Sequence, residues 1–303
     1  MNKKSFFLSV ICCSLSAVSL AKDTTNLMND LVIESEKNKT SYIESTFLYT
    51  RIINGQSVEN LPRKVLDVRI SHRFGPLSSG PYNFFGLDYS PFNVRIGFDY
   101  GITDNFMIGG GHSGYQKTYD FFAKLKVLRQ KSGESIVPIT ISIVPTIAIN
   151  SLKPFQLEVK PDSGISIKRL SYVFQVLIAR KFSEDFSLQL MPTLIHHDNI
   201  SFNHARKNIL AIGIAGREKI SKRMSVTGEY YYQLPDGQAP ASHNVLSFGI
   251  NIGTGGHVFQ LLFSNSFGLT EKSFIAETKG EWGNGDELFG FNISRVFQLG
   301  KKR

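Results

Sequence analysis

Histidines and an aspartate gather in two stretches of this chain: His196, His197, Asp198 and His204, with His243 further on. Imidazole and carboxylate ligands of this kind suit Zn²⁺ or Cu²⁺. The spacing argues against a site, because His196 and His197 are adjacent and point to opposite faces of any strand that carries them. Nucleophilic catalysis needs a Ser and a His on one face or otherwise within hydrogen-bond reach. Ser71-His72 and His112-Ser113 are adjacent pairs, so each straddles a strand. Gly109-Gly110-Gly111 lacks the following helix and the Lys of a phosphate loop, and close packing inside a strand accounts for it. The expectation is therefore a protein that is not an enzyme, with no catalytic residue, metal or cofactor. A lipid-modifying enzyme stays as a third reading.

A different constellation does stand out. Asp67, Arg69, Arg73, Arg95, Asp99, Asp120, Lys124 and Lys126 all fall on the polar parity of four consecutive strand-like segments. Later segments offer mainly Ser, Thr, Gln and Asn there, such as Thr140, Gln175, Gln189, Ser247 and Gln260. Five basic groups against three acidic ones could make an electropositive wall that attracts anions. The same residues could instead be a lattice of ion pairs filling a narrow interior. The sequence leaves both open.

The elements that must carry these residues are strands. Val65 to Phe74 sets Leu66, Val68, Ile70 and Phe74 on one parity and Asp67, Arg69, Ser71 and Arg73 on the other. The same two-faced pattern recurs at Val94–Tyr100, Leu170–Ile178, Leu246–Ile252 and Phe289–Leu299. Twelve segments are expected, near 65–74, 93–102, 104–113, 117–129, 136–149, 168–181, 185–196, 207–216, 222–233, 243–252, 257–267 and 288–299. Their lengths suit tilted membrane strands of ~9–11 residues. Short connections alternate with mostly long ones, the outer-membrane pattern of short periplasmic turns and long outer loops. Pro138, Pro145 and Pro192 sit awkwardly inside these segments, since a closed barrel has no edge to hide a missing donor. Loop 268–287, with Glu271, Lys272 and Trp282, is expected to be an ordinary solvated loop; the alternatives are an inward constriction or a binding surface.

The first residues read as a secretory signal peptide, residues 1–21: Lys3 and Lys4, an apolar run to Leu20, then Ser19-Leu20-Ala21. Cys12 and Cys13 are the only cysteines, so the remaining chain offers no disulfide. Residues 22–60 are expected to form a short N-terminal segment, either a periplasmic helix and linker or a small plug, and 61–303 the barrel. The chain is basic, with 34 Lys and Arg against 25 Asp and Glu. The basic residues are scattered along strands and turns, which excludes nucleic acid as a sensible partner.

Several stretches also carry a family resemblance. Phe47 to Glu59, with Thr-Arg-Ile-Ile-Asn-Gly-Gln-Ser-Val-Glu, is one. Val65 to Gly75, Asn93 to Ile108, Lys117 to Asp120, Thr254 to Leu261, Glu271 to Ile275 and Phe289 to Phe297 are the others. Over most of residues 46–299 the chain resembles a family of outer-membrane β-barrels of Gram-negative bacteria, domain of unknown function 5777. The resemblance implies a barrel and a membrane location, and brings no activity or site residue. The reading is an all-β antiparallel transmembrane barrel in the outer membrane, contacting outer-membrane lipid. Its leading role would be a passive pore for small solutes with mild anion preference; a non-transporting scaffold or partner-binding barrel is the alternative.

Overall fold

The computed structural model describes residues 40–152, 170–198, 207–235 and 242–300. The expected signal peptide, the helical spacing at Leu27–Val32 and His204 lie outside them. Two units are distinguished. In the small one, β1 (Ser41–Tyr42) pairs antiparallel with β6 (Lys131–Ser132).

The large unit is a closed barrel of twelve antiparallel strands. They are β2 (Val65–Pro76), β3 (Asn93–Gly101), β4 (Phe106–Ser113), β5 (Thr118–Leu128), β7 (Thr140–Asn150) and β8 (Leu170–Lys181). The second half comprises β9 (Phe186–His197), β10 (Asn208–Lys219), β11 (Met224–Gln233), β12 (Val245–Thr254), β13 (His257–Ser264) and β14 (Leu288–Gln298). Each strand pairs with its chain neighbours, and β14 closes the ring on β2. All twelve expected segments are present, with ends within four residues of those read from the sequence.

The barrel is apolar outside; inside, a charged and polar wall on β2–β5 shares the interior with buried apolar residues such as Val144, Leu177, Met191, Ile195 and Tyr231. Along β2 the inward residues Asp67, Arg69, Ser71 and Arg73 are buried, while outward Ile70 is 41% exposed. Phe98, Phe121, Phe174, Leu190, Ile214, Phe248 and Leu261 likewise stand exposed on their strands. In water such a surface would be far too apolar; against acyl chains it is the required one. No helix among the described residues is long and apolar enough to cross a membrane, and that says nothing of strands.

The prolines resolve individually. Pro138 precedes β7, which starts at Thr140 because the segment begins later than its apolar composition suggests. Pro145 and Pro192 lie within strands on the outward parity. The β5–β7 and β8–β9 ladders keep the same register on both sides of each proline but skip the pairs next to it. A missing N–H donor is thus absorbed as a local gap.

Candidate functional site

The interior is occupied by the chain itself. Residues 46–61, just before β2, run within the ring of strands; Phe47, Ile52, Ile53, Gln56, Ser57 and Val58 are at most 2% exposed. Arg51 bridges to Gln56, and the Ile52 amide donates to the Gly55 carbonyl (2.9 Å), closing a tight turn at Ile53-Asn54-Gly55. Asn-Gly is a strong turn former. Gly55 is also sterically required, since a Cβ there would lie 2.0 Å from the Tyr231 hydroxyl oxygen.

A carboxylate holds the tip of this turn. Glu229 of β11 accepts from the backbone amides of Ile53 (3.2 Å), Asn54 (2.8 Å) and Gly55 (3.1 Å). At the base an ammonium does the reverse: Lys124 Nζ donates to the carbonyls of Thr50 (2.9 Å), Ser57 (2.9 Å) and Glu59 (3.0 Å). Amides from the walls complete the cradle. Gln189 accepts from the Val58 amide and donates to the Gln56 carbonyl, Gln260 donates to Ile52 and Asn292 to Ile53. Arg217 of β10 donates to the Ser45 and Thr46 carbonyls. Many of the plug's backbone groups are thus satisfied by wall side chains, and others within the segment, where Glu59 takes the Thr46 and Phe47 amides.

The eight charged residues singled out in the sequence take definite places. Arg95 forms a two-pronged pair with Asp120 (2.8 and 2.5 Å). Room for it comes from glycine: a Cβ on Gly111 would sit 2.8 Å from the Arg95 guanidinium carbon, and one on Gly97 2.4 Å from its Nη1. Arg69 contacts Asp67 (3.4 Å) and the Thr50 hydroxyl (3.1 Å) and lies over the Tyr49 ring. Asp67 also accepts from Ser294. Asp99 accepts from Thr50 Oγ1 at 3.5 Å. Arg73 donates to Asn54 Oδ1 (2.7 Å) and Asn292 Oδ1 (3.2 Å). Lys126 pairs with Glu59 at 3.7 Å. Five of the eight, Arg69, Arg73, Asp99, Lys124 and Lys126, therefore touch the plug directly.

A second element enters from the long-loop end. The expectation of a solvated loop at 268–287 fails for 268–278, which is almost wholly buried, while 279–287 is exposed or half-buried. Its α1 (Glu271–Ala276) is buried at every residue and capped by the Thr270–Ser273 reciprocal bonds. Glu271 pairs with Arg51 of the plug (2.8 Å), Phe274 meets the Tyr231 ring edge-on at 5.1 Å, and Gln233 donates to the Ile275 carbonyl (2.6 Å). The solvated reading failed because six residues are too few to show helical periodicity. Beside α1 lies a cleft of about 410 Å³, with Tyr89, Tyr115, Phe267, Glu277 and Lys279 in its lining. Burial, with the Glu277 carboxylate nearby, pushes the Tyr115 phenol up to about 12.

The candidate chemical pairs are separated. Ser71 faces inward while His72 stacks outward on Phe291 at 5.2 Å. Ser113 donates to Asn93 inside, and His112 packs on Tyr119 outside. His197 bonds Ser171, whereas His196 bonds Asn208 and Asp198. Among the described residues no three His, Cys, Asp or Glu side chains gather as a metal site.

Sequence reasoning missed Glu229, Arg217 and Arg51. Glu229 continues the inward parity of Ser225 and Thr227 on β11, and Arg217 lay just past the expected strand end. Arg51 and the Asn54-Gly55 turn carried a hairpin signal without any strand pattern around it.

The model of domain of unknown function 5777, described as a membrane bound beta barrel domain, matches residues 47–297. The chain belongs to this family. The match begins at residue 47 and so includes residues 47–61. A search of curated proteins finds no match. Among solved structures the chain is similar in fold to the NanC porin, at 10% identity and TM-score 0.47, covering 76% of this chain and 98% of that one. The KdgM porin gives 8% and 0.47 over 77% and 99%. An outer membrane channel from Pseudomonas putida F1 gives 13% and 0.44 over 79% and 98%.

Proposed function

We propose that this domain is an outer-membrane channel for small solutes, held shut at rest by its own residues 46–61. Its short turns face the periplasm and its long loops face outward. The observation that carries the reading is the cradle. Charged and amide side chains from opposite walls bind the plug's backbone, while Phe47, Ile52, Ile53, Val58 and Leu61 pack with inward apolar residues such as Val144, Leu177, Met191 and Tyr231. Water can replace the polar contacts on release, whereas the apolar contacts are lost and favour the docked state at rest. With the plug withdrawn, the wall presents Arg69, Arg73, Arg95, Lys124, Lys126 and Arg217 against Asp67, Asp99, Asp120 and Glu229, all on inward positions. That excess favours small anions.

The test is planar-bilayer conductance of the full chain and of a variant lacking residues 46–60. The full chain stays closed for most of the record, and the deletion variant conducts steadily with a reversal potential on the anion side in a KCl gradient. A deletion variant that folds, shown by heat-modifiable gel mobility, yet does not conduct or prefers cations would sink the reading. The burial of α1 favours a second reading, a barrel closed from both ends that acts as a scaffold. In that case removing both 46–60 and α1 would still give no current.

A further inference from the structure

The lipid-facing surface carries very little charge. On the outward parity of the twelve barrel strands, the Lys, Arg, Asp and Glu residues are Arg180 on β8, Glu218 on β10 and Arg295 on β14. All three lie near the short-turn end. From Leu170 to Arg180 the strand climbs ten residues, about 25 Å at a tilt of about 40°. That is the height of the apolar band itself, ~25 Å. These charges therefore mark one rim of the band, where an arginine costs only ~0–1 kcal/mol compared with ~2–4 kcal/mol at the midplane.

The two arginines are built alike. Arg180 lies over the Phe182 ring, 5.0 Å from its centroid, and Arg295 over Phe297 at 4.9 Å. Both rings are themselves exposed. Stacking fixes the guanidinium plane, and both arginines are exposed. Among the described residues neither guanidinium has a carboxylate or hydrogen-bond partner. Nearby acids are spent elsewhere: Glu184 on Lys181 and Asp185 on Lys219. Glu218 sits two strands from β8 and pairs with neither arginine. In the ring order β14 and β8 are six strands apart of twelve, so the arginines lie on opposite sides of the barrel.

We propose that Arg180 and Arg295 are two headgroup sites for anionic phospholipid in the leaflet at the short-turn end. A permanently charged planar fork at a membrane rim, without a protein partner, is matched by a phosphate diester, which accepts two parallel N–H bonds. Exposed Lys64, Lys222 and Arg223 on the turns of the same end add to the field. Being opposed across the barrel, the two sites would fix its depth and resist tilt. The inference rests on the proposed membrane placement and is independent of whether the plug moves.

The experiment is native mass spectrometry of the full chain released from nanodiscs of phosphatidylcholine containing phosphatidylglycerol. Wild type retains phosphatidylglycerol enriched at two sites, R180Q and R295Q at one each, and the double variant only the share set by the bulk lipid ratio. Retention over phosphatidylcholine is roughly fivefold per site, the effect of one basic group at a membrane surface. R180K and R295K, which keep charge and fold but lose the planar fork, retain an intermediate share. Equal phosphatidylglycerol retention by wild type and the folded double variant would overturn the proposal. Lipid A displacing phosphatidylglycerol from both sites would overturn it as well. Because the readout is lipid number and not current, it can fail while the plug-deletion variant still conducts.

Discussion

Glu229 is the residue on which the plug's hold can be measured. Its carboxylate takes three backbone amides at the turn tip, 2.8–3.2 Å away, and is 2% exposed. Hydrogen bonds to a charged group contribute ~1.5–3 kcal/mol each. The gross sum is offset by several kcal/mol for keeping the carboxylate out of water. A net loss of about 3 kcal/mol on Glu229→Ala then shifts the docked-to-released ratio of the plug by roughly 150-fold, at ~1.4 kcal/mol per factor of ten. Trypsin reads this directly, because Arg51 is buried in the docked plug whereas Arg63 is exposed. Cleavage after Arg51, scored against cleavage after Arg63 by mass spectrometry, should rise by about two orders of magnitude in the variant, with open probability in bilayers rising alongside. Glu229→Asp, which keeps the charge on a shorter arm, should fall between. If Glu229→Ala folds with an unchanged heat-modifiable transition and Arg51 stays as protected as in wild type, the carboxylate does not hold the plug.

Further expectations follow from the same contacts. Gly55→Leu drives a side chain into the Tyr231 hydroxyl and should open the channel without altering its strands, read as conductance with unchanged circular dichroism. Lys124→Met removes the donor to three plug carbonyls and one wall charge, so it should raise open probability and move the reversal potential toward cations. Arg95→Ala strands Asp120 without its partner at 0% exposure; the cost, ~3–5 kcal/mol, should lower the heat-modifiable transition strongly while leaving Arg51 protected. Ile250→Lys on the lipid face should cost ~2–4 kcal/mol of barrel stability, measured by urea unfolding in vesicles.

The barrel was legible because its physics is local. Alternation along Val65–Phe74 and Leu246–Ile252 states which side chain meets lipid, and period two survives a proline such as Pro145 with only a gap in one ladder. The filling of the barrel was not legible, for a physical reason. Residues 46–61 have neither helical nor strand period, since much of their backbone is satisfied by side chains as far as 208 and 239 residues away, those of Gln260 and Asn292. The charged wall was visible, but whether it attracted solute or bound protein depended on those distant carbonyls. Glu271 and Lys272 look like solvated loop charges until Arg51 and Gln116 are seen beside them.

The plug precedes β2 directly, and β2 is the strand on which β14 closes the ring. The plug has partners on β2, β3, β5, β9, β10, β11, β13 and β14. If the segment docks before the ring closes, the strands of the final seam come together around a segment that touches both halves of the sheet. Residues 46–61 can serve as a mandrel, setting the circumference before the last ladder zips and penalising a ring of eleven or thirteen strands.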